Sequence, residues 1–353
     1  MDSFTRFNAY FPPRKENEIQ RDSIIKNIYH MFSTENPVIL IDGPTSSGKT
    51  TLLSQFSKYY DGRCISYFIH DNQWSINLSS FLLELCLQLK ELPAISSGYK
   101  KELADNLTVE QLMQVFYKMH RELVSYVKRN KSEPYFFVID GLDKISINQV
   151  EDNIIKFLPP SDICGIYLLL SSNGTNPSYP RSLTFPIQYF SYSETIQFFN
   201  GALSLEEIKL IHEITQGMPG YLTEVLQKVN DDNFELILED LPTTFGKFLE
   251  NELNKLEITD NESLKILSIV VYSPVLINIT EISSILLIEK LSVINSLNKF
   301  SFLYISESEF VHINNPYKSL LVEKLKPFMS STIQVLIDFY EKKQFEESAS
   351  ILP

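Results

Sequence analysis

Residues Gly43 to Thr50 have the types and spacing of a phosphate-binding loop. They read GPTSSGKT and fit GxxxxGK[ST] at every fixed position. Glycines let backbone N–H groups wrap phosphates without Cβ clashes, and a helix beginning near Lys49 would point its positive dipole end at the same anion. The sequence therefore predicts a nucleotide site in which Lys49 reaches the β- and γ-phosphates. The loop residues assigned to it are Gly43, Pro44, Thr45, Ser46, Ser47, Gly48, Lys49, Thr50 and Thr51.

Two aspartates follow a second apolar run, YFFVID. Asp140 ends that run and Asp143 comes three residues later. A P-loop Mg²⁺ is held by the loop hydroxyl and by an acid at the end of a neighbouring strand, so Thr50 and Asp140 are the predicted metal ligands. Asp143 is predicted to orient an attacking water, because Gly141 leaves room beside the metal and the turn brings the next acid back. The alternative is that these are turn acids that cap backbone N–H groups.

A polar stretch ends the next apolar run, GIYLLLSSN. Ser172 or Asn173 there is placed to sense a γ-phosphate from the strand beside Asp140, although the same residues also read as a simple turn. The chain has no NKxD sequence of the guanine-reading type, which favours ATP over GTP. The predicted catalytic set is therefore Lys49, Asp140 and Asp143.

Strands that alternate with helices position these residues. Apolar runs predict strands at 38–41, 64–69, 135–140, 165–172 and, more weakly, 183–190, and helical periodicity covers 16–32, 49–60, 76–89 and 109–129. Unbroken apolar strands between helices are typical of a parallel sheet that is covered on both faces. We expect an α/β fold, a P-loop NTPase sheet sandwiched by helices.

The rest of the chain is helical, and capping boxes at Ser191/Glu194, Ser204/Glu207 and Thr259/Glu262 mark three helix starts. Three helices and a hairpin in 263–325 follow the order of a winged helix. The predicted domains are a nucleotide-binding domain (1–190), a helical lid (191–258), a winged helix (259–327) and the start of a helical, tetratricopeptide-like region (328–353).

Composition restricts the partners and the compartment. The 353 residues carry a net charge of −13 and no basic patch, which makes nucleic acid an unlikely partner. The N-terminus lacks an apolar signal core, and the most apolar stretch, 264–279, is broken by Pro274, so no membrane segment is expected. Three isolated cysteines in apolar runs favour core packing over a metal or a disulfide. We expect a cytoplasmic protein.

These motifs resemble those of the STAND class of P-loop ATPases, which includes the NACHT and NB-ARC families. The likeness covers nearly the whole chain. FPPRKENEIQ is similar to a motif that borders the adenine, and it contains Arg14. VIDGLDK is similar to the class's DGLDE signature, with Lys144 in place of the last acid. ITQGMPGYL resembles the GxP motif, which assigns Pro219 to the adenine end, with Gly217 as its partner.

FVHINNPYKSLL resembles the end of the class's winged helix, where a histidine reaches the β-phosphate of ADP. His312 matches that histidine; the alternative is a wing residue that faces solvent or core. LIDFYEKKQFEESASILP resembles the first helix and turn of a tetratricopeptide unit, the alternative being a terminal amphipathic helix.

The resemblance implies a nucleotide-operated switch. ADP would favour a closed monomer, and ATP with Mg²⁺ would favour an open form that self-associates, with triggers or effectors acting through C-terminal repeats missing from this chain. In bacteria such proteins often serve in antiviral defence or transcriptional control. Lys144, and Asn173 where the class often has an arginine, imply slow hydrolysis and weaker sensing. The rival interpretations are an AAA+ ATPase of the origin-recognition type and a scaffold that holds nucleotide without hydrolysis.

Overall fold

A parallel five-stranded sheet carries the phosphate-binding loop. The computed structural model describes residues 11–12, 17–69, 77–96, 98, 103, 107–130, 133–145, 154–158, 165–173, 181–231, 241–255, 261–274, 276–300, 302–306, 309–313 and 315–350. The chain divides into two compact units, Met1–Leu238 and Glu239–Pro353. In the first unit the strands are β1 (Val38–Asp42), β2 (Cys64–Phe68), β3 (Tyr135–Asp140), β4 (Ile166–Ser172) and β5 (Ser182–Pro186). Its helices are α1 (Asp22–Met31), α2 (Lys49–Tyr59), α3 (Leu78–Leu89), α4 (Val109–Asn130), α5 (Tyr192–Phe199), α6 (Leu205–Thr215) and α7 (Pro219–Asp231).

The strand order is β2-β3-β4-β1-β5, and every described pairing is parallel. Val38 in β1 is paired with Leu168 in β4 on one side and with Ser182 in β5 on the other. The carboxyl ends of β1, β3 and β4 therefore lie at one edge of the sheet. Ligands of open α/β sheets bind at that edge, where the strand order reverses.

Both faces of the sheet are covered, as the sequence predicts. Phe137 and Ile139 of β3 pack with buried residues of α3 and α4, while the alternate residues Phe136 and Val138 pack with α1 and α2. A strand with two buried faces has no polar alternation, which explains the unbroken apolar run YFFVID. The predicted α/β sandwich is confirmed.

Two element boundaries differ from the sequence prediction. Helix α1 begins at Asp22 instead of residue 16, because the backbone at Ile19 and Arg21 hydrogen-bonds the side chain of Gln55 rather than a helical turn. Strand β5 ends at Pro186 instead of residue 190. The N–H of Phe190 donates to the carbonyl O of Gly217, so the chain there pairs with the α6–α7 connection.

Helix starts follow the capping pattern in the sequence. The Ser191/Glu194 and Ser204/Glu207 boxes are both formed, at the starts of α5 and α6. Thr259 of the third predicted box lies outside the described residues. A further box, formed by Asn278 and Glu281, begins a helix of the second unit.

The second unit holds helices and a short hairpin. Its described elements are α8 (Phe245–Lys255), α9 (Asn261–Tyr272), α10 (Ile279–Leu286), α11 (Lys290–Leu297), β6 (Leu303–Ile305), β7 (Val311–Ile313), α12 (Asn315–Lys324) and α13 (Met329–Ser350). Strands β6 and β7 are antiparallel. Three helices and a hairpin thus occur in the expected order, while the winged-helix interpretation and the four-domain division stay predictions. Helix α13 runs to Ser350, and the tetratricopeptide interpretation of this segment stays a prediction.

Two expectations from composition concern the core and membranes. Cys64 and Cys86 are free and buried in the first unit, and burial raises the pKa of each thiol to about 12, so both stay protonated at neutral pH. Cys164 lies outside the described residues. Over the described ranges, no helix combines the length and the apolar character that crossing a bilayer takes.

Candidate nucleotide-binding site

The loop between β1 and α2 has the backbone of an anion cradle. Gly48, the residue before α2, has φ +94°, a left-handed conformation that favours glycine. No side chain caps α2 there and its first turn holds no acid, so neither the cap position nor the first turn supplies an anion to the amides that begin the helix. A Cβ on Gly43 would lie 2.4 Å from Cγ2 of Ile187. The motif therefore needs glycine at Gly48 for its backbone conformation and at Gly43 for lack of room for a side chain.

Lys49 lies among carboxylates at the carboxyl edge of the sheet. Burial lowers the pKa of its ammonium group, and the negative charges of Asp143, Asp140 and Asp42 act in the opposite direction, with Asp143 the largest of the three. The Nζ atom donates to the carbonyl oxygens of Gly43 and Pro44. The structure thus brings the predicted cation and both predicted acids into one cluster.

Asp140 is the most constrained of these acids. It is 3% exposed at the end of β3, and the Thr50 hydroxyl donates to its Oδ2 at 2.6 Å. The Ser171 hydroxyl donates to Oδ1 at 2.5 Å and accepts from the N–H of Gly141 at 2.8 Å. The two predicted metal ligands, Thr50 and Asp140, are therefore in direct contact. Ser171 was not predicted, because the sequence pattern pointed to its neighbours at the tip of β4.

The turn after β3 places Asp143. Residues Leu142–Lys144 form one 3₁₀ turn after Gly141, which has φ +80°. A Cβ on Gly141 would lie 2.9 Å from the carbonyl O of Ile69, so the space is used by the backbone after β2. The reason expected from the sequence for a glycine at this position was different, namely that it leaves room beside the metal. Lys144 Nζ donates to the same Ile69 oxygen at 2.7 Å. The lysine that stands in place of the signature's last acid therefore anchors the turn to the end of β2.

The GMPG segment packs on the phosphate-binding loop. The N–H of Gly220 donates to the carbonyl O of Ser46 at 2.9 Å, and a Cβ on Gly220 would lie 2.4 Å from Cβ of Ser46. Pro219 lies 3.5 Å from the position that a Cβ on Gly48 would take. The structure thus places Pro219, at the start of α7, beside the loop.

Arg21 is a buried link that sequence reasoning missed. Its Nε lies 3.0 Å from Glu194 Oε1, and its other nitrogens donate to the carbonyl oxygens of Gln188 and Tyr189. Its backbone N–H donates to Oε1 of Gln55 in α2 at 3.1 Å. The residue before α1 thereby ties the helix after the loop to the connection between β5 and α5. A lone arginine before a helix carries no periodic signal that would reveal this role.

The other predicted binding residues are placed as follows. Thr45 is exposed, Ser47 is buried, and Asn173 is exposed directly after β4. Arg14 and the side chain of Ser172 lie outside what the structure describes. His312 lies on β7 in the second unit, paired with Tyr304. The roles of these residues toward a nucleotide stay predictions.

The residues at this edge fit a nucleotide with Mg²⁺. Within the described residues, two buried atoms beside the loop, Asp42 Oδ1 and Ser47 Oγ, have no hydrogen-bond partner, as expected where a polar group is to be bound. No group of three His, Cys, Asp or Glu in the described ranges is arranged to hold a metal alone. Thr50 and Asp140, which are in contact, would hold an ion together with phosphate oxygens, the ligand set that Mg²⁺ takes in nucleotide sites.

Sequence comparisons match part of the chain. The family model described as Nephrocystin 3, N-terminal matches residues 19–172. The Large T antigen of B-lymphotropic polyomavirus is 31% identical over 72 residues, which are 20% of this chain and 10% of that protein. The chain thus matches only a small part of the viral relative.

A solved structure shares the fold. A Signal Transduction ATPase with Numerous Domains (STAND) protein with a tetratricopeptide repeat sensor from Pyrococcus horikoshii superposes with a TM-score of 0.56 at 15% identity, over 94% of this chain and 46% of that chain. The chain therefore spans less than half of that protein's length. A Walker-type ATPase of Pyrococcus abyssi gives a TM-score of 0.45 at 13% identity, over 90% of this chain and 99% of that one. The chain has the fold of a STAND-like P-loop ATPase.

Proposed function

We propose that this chain is an ATP- and ADP-binding molecular switch with slow, Mg²⁺-dependent ATP hydrolysis. The observation that carries the proposal is the 2.6 Å contact between the Thr50 hydroxyl and Asp140, which joins the loop to the acid of a strand 90 residues later. The Lys49 ammonium group and Asp143 lie in the same electrostatic cluster. This is the constellation that phosphoryl transfer to water requires.

Each residue has a separate task in the proposed site. The loop amides and Lys49 bind the phosphates, and Thr50 with Asp140 holds the metal. Bound Mg²⁺ would offset the negative charge of the terminal phosphates. Asp143 orients the attacking water and accepts its proton. Lys144 stands where the signature that this turn resembles has its last acid, and its ammonium group donates to the Ile69 carbonyl. The turn therefore lacks a second carboxylate, which supports slow hydrolysis.

The switch itself rests on residues that contact the loop from α7. Because the N–H of Gly220 donates to the carbonyl oxygen of Ser46, a change in the loop's backbone on binding a γ-phosphate would be transmitted directly to the start of that helix. In the proposed cycle His312 and Pro219 favour the ADP-bound closed monomer, and ATP favours an open form that self-associates. A protein trigger would bias the same equilibrium, in a defence or regulatory role. Such a cycle needs each nucleotide to bind the two forms with different affinities.

Two variants test the site together. Lys49→Ala should abolish ATP and ADP binding measured by calorimetry, because the backbone cradle then lacks its cation. Asp143→Ala should keep nucleotide binding within about threefold but lower single-turnover hydrolysis at least about 100-fold, as expected for loss of a base that acts in the transition state. Lys209→Ala, an exposed lysine of α6, is the matched control and should change neither.

The outcomes separate the alternatives. Unchanged ATP affinity in Lys49→Ala would reject the site. A parent that binds nucleotide but shows no single-turnover hydrolysis would be a scaffold instead of an ATPase. Hydrolysis that persists in Asp143→Ala would leave the ATPase in place and remove Asp143 from its mechanism.

A further inference from the structure

Ser171 is a buried hydroxyl at the centre of the acid cluster. It is fully buried on β4, the strand that lies between β1 and β3. Its oxygen makes two hydrogen bonds, donating to Asp140 Oδ1 and accepting from the N–H of Gly141. A hydroxyl has one proton to donate, so the direction of both bonds is fixed by the Gly141 donor and the Asp140 acceptor.

These two bonds constrain both acids of the proposed site. The bond to Oδ1 fixes the rotation of the Asp140 carboxylate, so that Oδ2 is the oxygen that faces Thr50 at 2.6 Å. The bond from Gly141 fixes the left-handed residue that begins the turn carrying Asp143. One side chain therefore orients the metal-side carboxylate and holds the backbone from which the water-side carboxylate extends.

We infer that Ser171 is a positioning residue for the Mg²⁺ site, a role that rests on the proposed function. Groups that hydrogen-bond a metal-ligating carboxylate set its orientation, and losing them commonly costs 10–100-fold in metal affinity. Without Ser171, the Asp140 carboxylate loses the bond that fixes its rotation toward Thr50. The affected quantity is therefore the affinity for Mg²⁺ in the nucleotide complex, while the affinity for nucleotide without metal is set by the loop and Lys49.

Mg²⁺ titration of the nucleotide complex tests this role. The fluorescence of a labelled ADP bound to the full chain is followed from EDTA to millimolar Mg²⁺. In Ser171→Ala, the Mg²⁺ concentration at half effect should rise about 10-fold or more, and the affinity in EDTA should stay within about twofold of the parent. Ser171→Cys, with a similar volume and a weak donor, should lie between the two, and it replaces the alanine variant if that one fails to fold.

Ser268→Ala is the matched control. Ser268 is also a buried serine, 1% exposed, but its hydroxyl bonds only the Leu264 carbonyl of its own helix in the second unit. It should match the parent in both conditions. Parental Mg²⁺ dependence in both Ser171 variants would overturn the inference while leaving the proposed function intact. A parent that binds no nucleotide with or without Mg²⁺ would instead reject the proposed function, and the inference with it.

Discussion

Glu84 is a single residue that links the stability of the first unit to pH. It lies on α3 with its Oε2 buried and without a hydrogen-bond partner among the described residues, and burial raises its pKa from 4.5 to about 7. The folded state therefore binds this proton more tightly than the unfolded state does. The contribution of Glu84 to stability is fully present below pH 4.5 and is lost as the pH rises through 7.

Glu84→Gln should remove this dependence. At pH 8 the variant should be more stable than the parent by roughly 1–3 kcal/mol, because it buries a neutral amide instead of a carboxylate. At pH 5 the difference should be small. Urea unfolding at both pH values measures it, with exposed Glu206→Gln of α6 as the control that should match the parent at each. Equal pH dependence of Glu84→Gln and the parent would contradict the assignment.

At the scale of single residues, the sequence identified those that belong to a motif with fixed spacing. Lys49, Thr50 and Asp140 follow from GPTSSGKT and from an acid at a strand end, and the structure brings them together. Ser171 and Arg21 could not be found in this way. Their roles depend on partners that are 31 and 173 residues away in the chain, and only the folded sheet determines those pairings.

At the scale of elements, the α6–α7 connection is limited by close backbone contact. Gly217 has φ +73°, and a Cβ there would lie 2.0 Å from the carbonyl O of Phe190. Gly201, between α5 and α6, has φ +83° with nothing within 4 Å of a Cβ. Both glycines have a backbone conformation that would be strained for other residues, but only Gly217 is crowded. Comparing substitutions at the two positions therefore separates backbone strain from steric clash.

Gly217→Ala should therefore destabilise the protein far more than Gly201→Ala. We expect roughly 1–2 kcal/mol for Gly201→Ala from the left-handed backbone alone. Gly217→Ala adds a clash with backbone that cannot rotate away, and roughly 3–5 kcal/mol is expected. Chemical denaturation followed by circular dichroism gives both values. Similar losses in the two variants would mean that the connection relaxes without cost.

Most elements were predictable because their patterns are local. Strand β3 spans Tyr135–Asp140 as its apolar run predicts, and α5 and α6 begin at their capping boxes. The start of α1 was not predictable, since Ile19 bonds a glutamine of another helix. The end of β5 was missed for the same reason, because Phe190 pairs with Gly217. Tertiary partners replaced the local pattern at both boundaries.

At the scale of the whole molecule, the proposed switch predicts different assemblies with different nucleotides. His312→Ala should weaken ADP binding about 10-fold, or about 1.4 kcal/mol, if this residue reaches the β-phosphate as the resemblance implies. It should also raise the open, self-associating fraction. Calorimetry with ADP and light scattering with ADP and ATP measure the two effects. Lys318→Ala on α12 serves as the control in the same unit.

The results also bear on the rival interpretations. Parental ADP affinity in His312→Ala would leave it an ordinary residue of β7. If the protein has the same mass in solution with ADP and with ATP, self-association is rejected as the output of the switch. Salt-dependent binding of the parent to duplex DNA would favour the origin-recognition alternative, against the expectation from a net charge of −13.

The position of β1 in the sheet sets when this site can form as the protein is made. Val38 is paired with Leu168 and Ser182, so both neighbours of the loop's strand are synthesised more than a hundred residues after it. At roughly 5–20 residues per second a ribosome takes about 7–30 s to cover that interval. Until β4 has been synthesised, the apolar strand lacks both of its native partners. Nucleotide bound at the loop can therefore stabilise the native sheet around β1 only after the ribosome has passed β4.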